Sequence, residues 1–138
     1  MEPVLLDTGV IYSLLNKRES RHEECLQVFR ELYRPIVTCE AVIVESCFLL
    51  SKYPQGIEVL LANVRSGLFG IPFQIAKSSL EVLELFRKYR DIPASFADAC
   101  LIAMANELGT GDILTLDGDF KHYRWRRNRR FNLLIPLD

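Results

Sequence analysis

The residues of this sequence best suited to chemistry are carboxylates set among apolar neighbours. Asp7 follows the apolar run of residues 3–6 and precedes Thr8 and Gly9. Glu45 stands in the middle of residues 40–51, which are almost all apolar. Its helical neighbours three and four positions away include Ala41, Val42, Phe48 and Leu49, so no polar stripe would carry it into water. Asp98 lies near the start of the Ala-, Leu-, Ile- and Met-rich residues 95–109. Asp117 and Asp119 follow the run of residues 112–116.

Burying an unpaired carboxylate is expensive, and like charges brought together raise one another's pKa. Such a group of acids therefore calls for a cation, a metal or a proton. An all-oxygen donor set is hard-cation chemistry, selecting Mg²⁺ or Mn²⁺ over zinc. A centre of that kind activates water for in-line attack on a phosphodiester. Each acid alone has a plainer reading: Asp7 or Thr8 as a helix cap, Asp98 as the third residue of a capping box begun by Ser95, Asp117-Gly118-Asp119 as a turn. His22 and His122 have no accompanying ligand or triad spacing and read as surface residues. There is no P-loop and no G-x-G-x-x-G.

The elements that would position these acids alternate. Residues 3–6, 36–38 and 112–116 read as strands, residues 68–75 as an extended segment at or near the sheet, and residues 131–137 as a last strand-like run. Helices are predicted over residues 10–15, 21–33, 40–51, 55–65, 78–89 and 95–109, with Ile57, Leu60, Leu61 and Val64 facing inward from the fourth and Leu80, Leu83 and Phe86 from the fifth. Ser95 is a natural N-cap for the last, and Gly109 its C-terminal stop. Strands alternating with helices indicate one α/β domain, residues 1–138, with a mainly parallel sheet. In such sheets the carboxyl ends of the strands share one edge with the helix starts, so the acids can converge there.

The composition is that of a globular protein, 49% hydrophobic and 25% charged, with no apolar run approaching the ~20 residues of a membrane helix. No signal peptide is visible. Cys25, Cys39, Cys47 and Cys100 show no zinc or C-x-x-C spacing and sit among apolar residues, which suits reduced thiols in a cytoplasmic protein. The net charge of −1 hides an asymmetry. Lys121, Arg124, Arg126, Arg127, Arg129 and Arg130 crowd an acid-free stretch of ten residues, leaving 11 basic against 18 acidic residues in the rest of the chain. With Tyr123 and Trp125 interleaved, the stretch suits a polyanion such as RNA at the rim of the acidic site. A solvated loop or an acidic protein partner would account for the same charges.

Four short motifs carry a resemblance: Leu5-Leu6-Asp7-Thr8, then Ala41-Val42-Ile43-Val44-Glu45, then Phe96-Ala97-Asp98-Ala99, then Leu114-Thr115-Leu116-Asp117-Gly118-Asp119-Phe120. In that order they resemble the successive motifs of the PIN-domain family, and at this chain length most resemble its VapC-type ribonuclease toxins. The resemblance implies a three-layer α/β/α sandwich and Mg²⁺- or Mn²⁺-dependent cleavage of RNA. It implies Asp7, Glu45, Asp98 and Asp117 as catalytic metal-binding acids, with Asp119 a further, more variable one. It also matches Thr8 and Thr115 to supporting hydroxyl residues. For partners it implies a homodimer and a small antitoxin protein. The expectation is thus a metal-dependent endoribonuclease. A PIN-like module that binds RNA or protein without cutting is the alternative, and a phosphatase or nucleotide hydrolase a third possibility.

Overall fold

Val4–Leu6 (β1) is wholly buried, as an uninterrupted apolar run in the middle of a sheet should be. In the computed structural model, which describes residues 1–137, this strand passes straight into α1 (Thr8–Leu15) through Asp7. The chain continues through α2 (His22–Arg30), β2 (Ile36–Val37), α3 (Glu40–Leu49) and α4 (Pro54–Arg65). Next come β3 (Phe69–Gly70), α5 (Ile75–Lys88), α6 (Phe96–Leu108) and β4 (Asp112–Leu114). A 3-10 turn (Gly118–Lys121) leads into β5 (Arg124–Trp125), β6 (Arg129–Arg130) and β7 (Asn132–Leu133).

Five strands form one parallel sheet in the order β3-β2-β1-β4-β7, with Val4 opposite Ile36 and Leu5 opposite Ile113. Helices cover both faces, giving the expected α/β/α sandwich. Consecutive strands leave β1 in one direction toward β3 and the late strands add on its other side. The order therefore reverses between β1 and β4, and the crevice outside their carboxyl ends is where α/β sheets bind ligands. The central helix α6 is buried along nine consecutive residues from Ala97 to Ala105. Its small and aliphatic side chains allow that, and Gly109 ends it in the left-handed conformation at φ 70°.

Several expectations change. Of residues 68–75 only Phe69–Gly70 pairs in the sheet, and Ile75 already opens α5. That helix carries two apolar stripes, and the core takes the one through Val82 and Leu85; Leu80, Leu83 and Phe86 point to solvent. In α4 Leu61 is exposed while Leu60 is buried. His22 is buried, because α2 crosses α1 and its ring nitrogen Nδ1 donates to the Ser13 carbonyl at 2.7 Å. His122 is exposed. All four cysteines are free, three of them buried and Cys47 half-buried.

The basic stretch folds as an antiparallel hairpin, β5 against β6. Its turn holds Arg126, Arg127 and Asn128 at φ 22°, 36° and 71°. Non-glycine residues adopt that left-handed region at a cost of roughly 1–2 kcal/mol each, so tertiary contacts must hold the turn. Two are evident. Asn106 of α6 receives both the Arg126 backbone N–H (2.8 Å) and its Nε (2.9 Å), and the Trp125 indole donates to the Arg130 carbonyl at 3.1 Å. The indole lies so close over Gly111 that a Cβ there would collide with it.

Candidate metal centre

Three elements deliver one acid each to the crevice. Asp7 leaves β1 with its backbone N–H bonded to the Leu114 carbonyl at 3.0 Å, which fixes it beside β4. Its Oδ1 caps α1 by accepting the Thr8 N–H (2.7 Å), and its Oδ2 accepts the fully buried Thr115 hydroxyl (2.6 Å). Asp98 is the third residue of α6 and completes a capping box: its N–H donates to Ser95 Oγ at 3.0 Å, and the Ser95 N–H reaches back to Asp98 Oδ2 at 3.4 Å. The same oxygen accepts the Tyr123 hydroxyl at 3.1 Å. Asp117 starts the 3-10 turn, its Oδ1 accepting the Asp119 N–H at 2.9 Å. The plain capping roles and the clustering are therefore not rivals; capping is what aims the carboxylates.

One oxygen from each of Asp7, Asp98 and Asp117 lies within 4.8 Å of the others. Among the described residues the ion pairs are Arg21–Glu24 and Arg34–Asp112, with His22 Nε2 4.0 Å from Glu23, so no basic side chain neutralises the three acids. They open on a cleft of about 340 Å³ whose walls include Thr8, Glu45, Ser95 and Leu116. Burial, opposed by the Thr115 and Thr8 hydrogen bonds and reinforced by Asp98 and Asp117, pushes the Asp7 carboxyl up to about 6. Burial also raises Asp98, against the stabilising Ser95 and Tyr123 hydrogen bonds. Three carboxylates held this close, all oxygen and short of positive charge, fit a hard divalent cation.

The profile of the PIN domain family matches residues 4–126. The chain belongs to the PIN domain family. No curated protein sequence matches it. Among solved structures, this PIN domain is similar in fold to Mycobacterium tuberculosis VapC20, described as a sarcin–ricin loop cleaving toxin. The TM-score is 0.79 at 20% identity, covering 86% of this chain and 93% of that one.

The remaining predicted residues of this PIN domain are placed differently. Glu45 is exposed, not buried, because the apolar residues around it are themselves exposed: Val44 is 68% and Phe48 77% accessible. It sits on the rim of the cleft, where Oε1 accepts the Thr8 hydroxyl at 3.1 Å. Asp119 lies outside the three-acid group, its N–H serving Asp117. Lys121 donates to the Leu137 carbonyl, and Arg124 is folded back on the carbonyls of Lys121, His122 and Tyr123. Arg126 is tied to Asn106, eight residues along α6 from Asp98, or about 12 Å by helical rise. The turn of the basic stretch is therefore anchored about two helical turns along α6 from Asp98.

Tyr123 and Trp125 are buried and present no ring for base stacking. Tyr123 instead packs edge-on against Tyr89 and Phe120, with centroids 4.9 and 5.0 Å away, and spends its hydroxyl on Asp98. Sequence reasoning missed that role. The one available signal was Phe120-x-x-Tyr123, an aromatic pair a single turn apart just after the acids.

Two outcomes are expected here. The raised Asp7 pKa means that the folded state holds this proton more tightly than the unfolded one. Its contribution to stability is full below about pH 4 and is lost as pH rises through about 6. Metal-free protein should thus lose about 1.5 kcal/mol between pH 5 and 7.5 from this group. Urea unfolding in EDTA at the two pH values should show that loss in wild type and not in Asp7→Asn; equal losses would refute it.

The second outcome concerns Tyr123→Phe, which keeps the ring and removes the donor to Asp98. Mn²⁺ affinity measured by calorimetry should fall about 10–100-fold, as for other groups that orient metal ligands. Unchanged affinity would reduce Tyr123 to packing.

Proposed function

We propose that this PIN domain is a metal-dependent endoribonuclease. The observation that carries the reading is the approach of Asp7, Asp98 and Asp117 within 4.8 Å at the strand-order reversal, with no basic side chain among the described residues to neutralise them. Its fold likeness to an RNA-cleaving toxin supports RNA as the substrate. In this reading Asp7, Asp98 and Asp117 hold one or two Mg²⁺ or Mn²⁺ ions. Glu45, on the rim of the cleft, completes the acidic lining, and Asp119, outside that lining, steadies Asp117 through its N–H. Bound there, the ion supplies positive charge against the phosphate and lowers the pKa of the attacking water. Thr115 and Thr8 hold Asp7 in place, and the Thr8 hydroxyl also orients Glu45.

No helix is long and apolar enough to cross a membrane. The free cysteines support a cytoplasmic location. Uncovered apolar residues on α3 (Val44, Phe48, Leu49) and on α5 (Leu80, Leu83, Phe86) support burial against other chains. A small antitoxin and a second copy of the chain are the partners proposed.

Asp98→Asn preserves the capping geometry while removing a charge from the cluster. It should melt within a few degrees of wild type, yet cut RNA more than about 100-fold more slowly with Mg²⁺ or Mn²⁺. Losing a ligand should cost at least as much as losing one of the outer groups that orient it. Wild-type cleavage should stop in EDTA. Cleavage by Asp98→Asn at the wild-type rate would overturn the site, and wild-type RNA binding without cleavage would favour the non-cutting module.

A further inference from the structure

The cations of the late chain do not form one patch; they line a path beside α6. At its acidic end, Tyr123 bonds Asp98 and packs on Tyr89, whose hydroxyl accepts the Arg124 N–H at 2.8 Å. Tyr89 is flanked by exposed Lys88 and Arg90, so these and Arg124 stand between Asp98 and the hairpin turn. From there β5 runs along α6 to the hairpin turn, which is fastened to Asn106 and lies over Gly109. Arg127 lies in that turn, while Arg129 stands opposite Trp125 and Arg130 opposite Arg124 on the returning strand; all three are exposed and, among the described residues, without a carboxylate partner.

We propose that the β5–β6 hairpin is a second RNA-contacting site, holding phosphates at the end of this path while the acidic cleft acts on a bond at its start. The proposal rests on the reading of the cleft as a ribonuclease centre and adds a substrate class: RNA extended or folded enough to reach both. A separation of about 12 Å corresponds to roughly four stacked nucleotides at about 3.4 Å each.

Three features favour RNA over an acidic protein. The cations are mostly arginines, whose planar fork suits phosphate oxygens. They are gathered on one short hairpin, Arg130 opposite Arg124, which concentrates positive charge as successive phosphates demand. The described residues from 97 onward include no exposed large hydrophobic side chain, so the hairpin offers charge without the apolar anchor on which protein interfaces depend. The turn is also held rigid. Three consecutive left-handed residues, the Asn106 anchor and the Arg129 guanidinium 5.3 Å above the Trp125 ring fix the arginines before any ligand arrives.

The test is Arg127→Gln, Arg129→Gln and Arg130→Gln together, which leaves the Arg126 anchor and every acid intact. Binding to a 20-nucleotide single-stranded RNA, measured over a range of NaCl in the Asp98→Asn background, should weaken. Its log–log salt slope should flatten by about 0.7 for each phosphate that the variant no longer neutralises. With Asp98 restored, KM for the 20-mer should rise about tenfold while kcat stays unchanged, and cleavage of a dinucleotide should not change at all. An unchanged slope and KM on the 20-mer would overturn the proposal and assign the hairpin to an acidic protein or to solvation. Equal losses on the 20-mer and the dinucleotide would also overturn it, since a dinucleotide cannot span the path. If neither protein cuts any RNA but the slope still flattens, the hairpin site stands and the nuclease reading falls.

Discussion

Repulsion among three carboxylates is the constraint around which this fold is arranged. Asp7, Asp98 and Asp117 are brought together by β1, α6 and the turn after β4, with no arginine, lysine or histidine among the described residues to neutralise them. Left to themselves, acids so placed would spread apart or take up protons, and Asp7 is already pushed to about 6. What holds them is a set of hydrogen bonds from elements that cannot move independently. Thr115 and Thr8 grip Asp7, Ser95 and Tyr123 grip Asp98, and the Asp119 N–H grips Asp117. The fold thus keeps in place a concentration of charge that weakens it, an arrangement characteristic of sites built for a ligand.

The sheet makes this possible. Parallel pairing of β1 with β4 aligns their carboxyl ends, and the reversal of strand order there opens a crevice that no connecting helix covers. The start of α6 is directed into it by a capping box, so the helix dipole adds partial positive charge where the acids collect. Behind this edge the aromatic group of Tyr89, Phe120, Tyr123 and Phe131 ties the 3-10 turn and the hairpin to the sheet. The residues that steady Asp98 and those that carry the arginine hairpin are consequently parts of one packed unit.

Much of this was legible from residue pattern. Alternation of apolar runs with helical stripes pointed to a parallel α/β sheet, and Asp7 and Asp117 could be placed at strand ends because each directly follows a short apolar run. What escaped was set by contacts distant in sequence. Glu45 looked buried because its helical neighbours are apolar, yet Val44 and Phe48 are themselves left uncovered by this chain, so burial could not be inferred from them. His22 looked like a surface residue until α2 crossed α1. The basic stretch follows Asp117 and Asp119 in sequence and touches Asp98 through Tyr123, but its turn is anchored to Asn106, about two helical turns along α6, which sequence order could not show.

The central claim is that the three acids form a divalent-cation site, and anomalous scattering from a crystal soaked in Mn²⁺ addresses it without any assumption about substrate. A manganese peak among the Asp7, Asp98 and Asp117 carboxylates, absent from crystals of Asp117→Asn, is the expected result. Crystals of the wild-type protein with no peak there at saturating Mn²⁺, or with manganese only elsewhere, would contradict it.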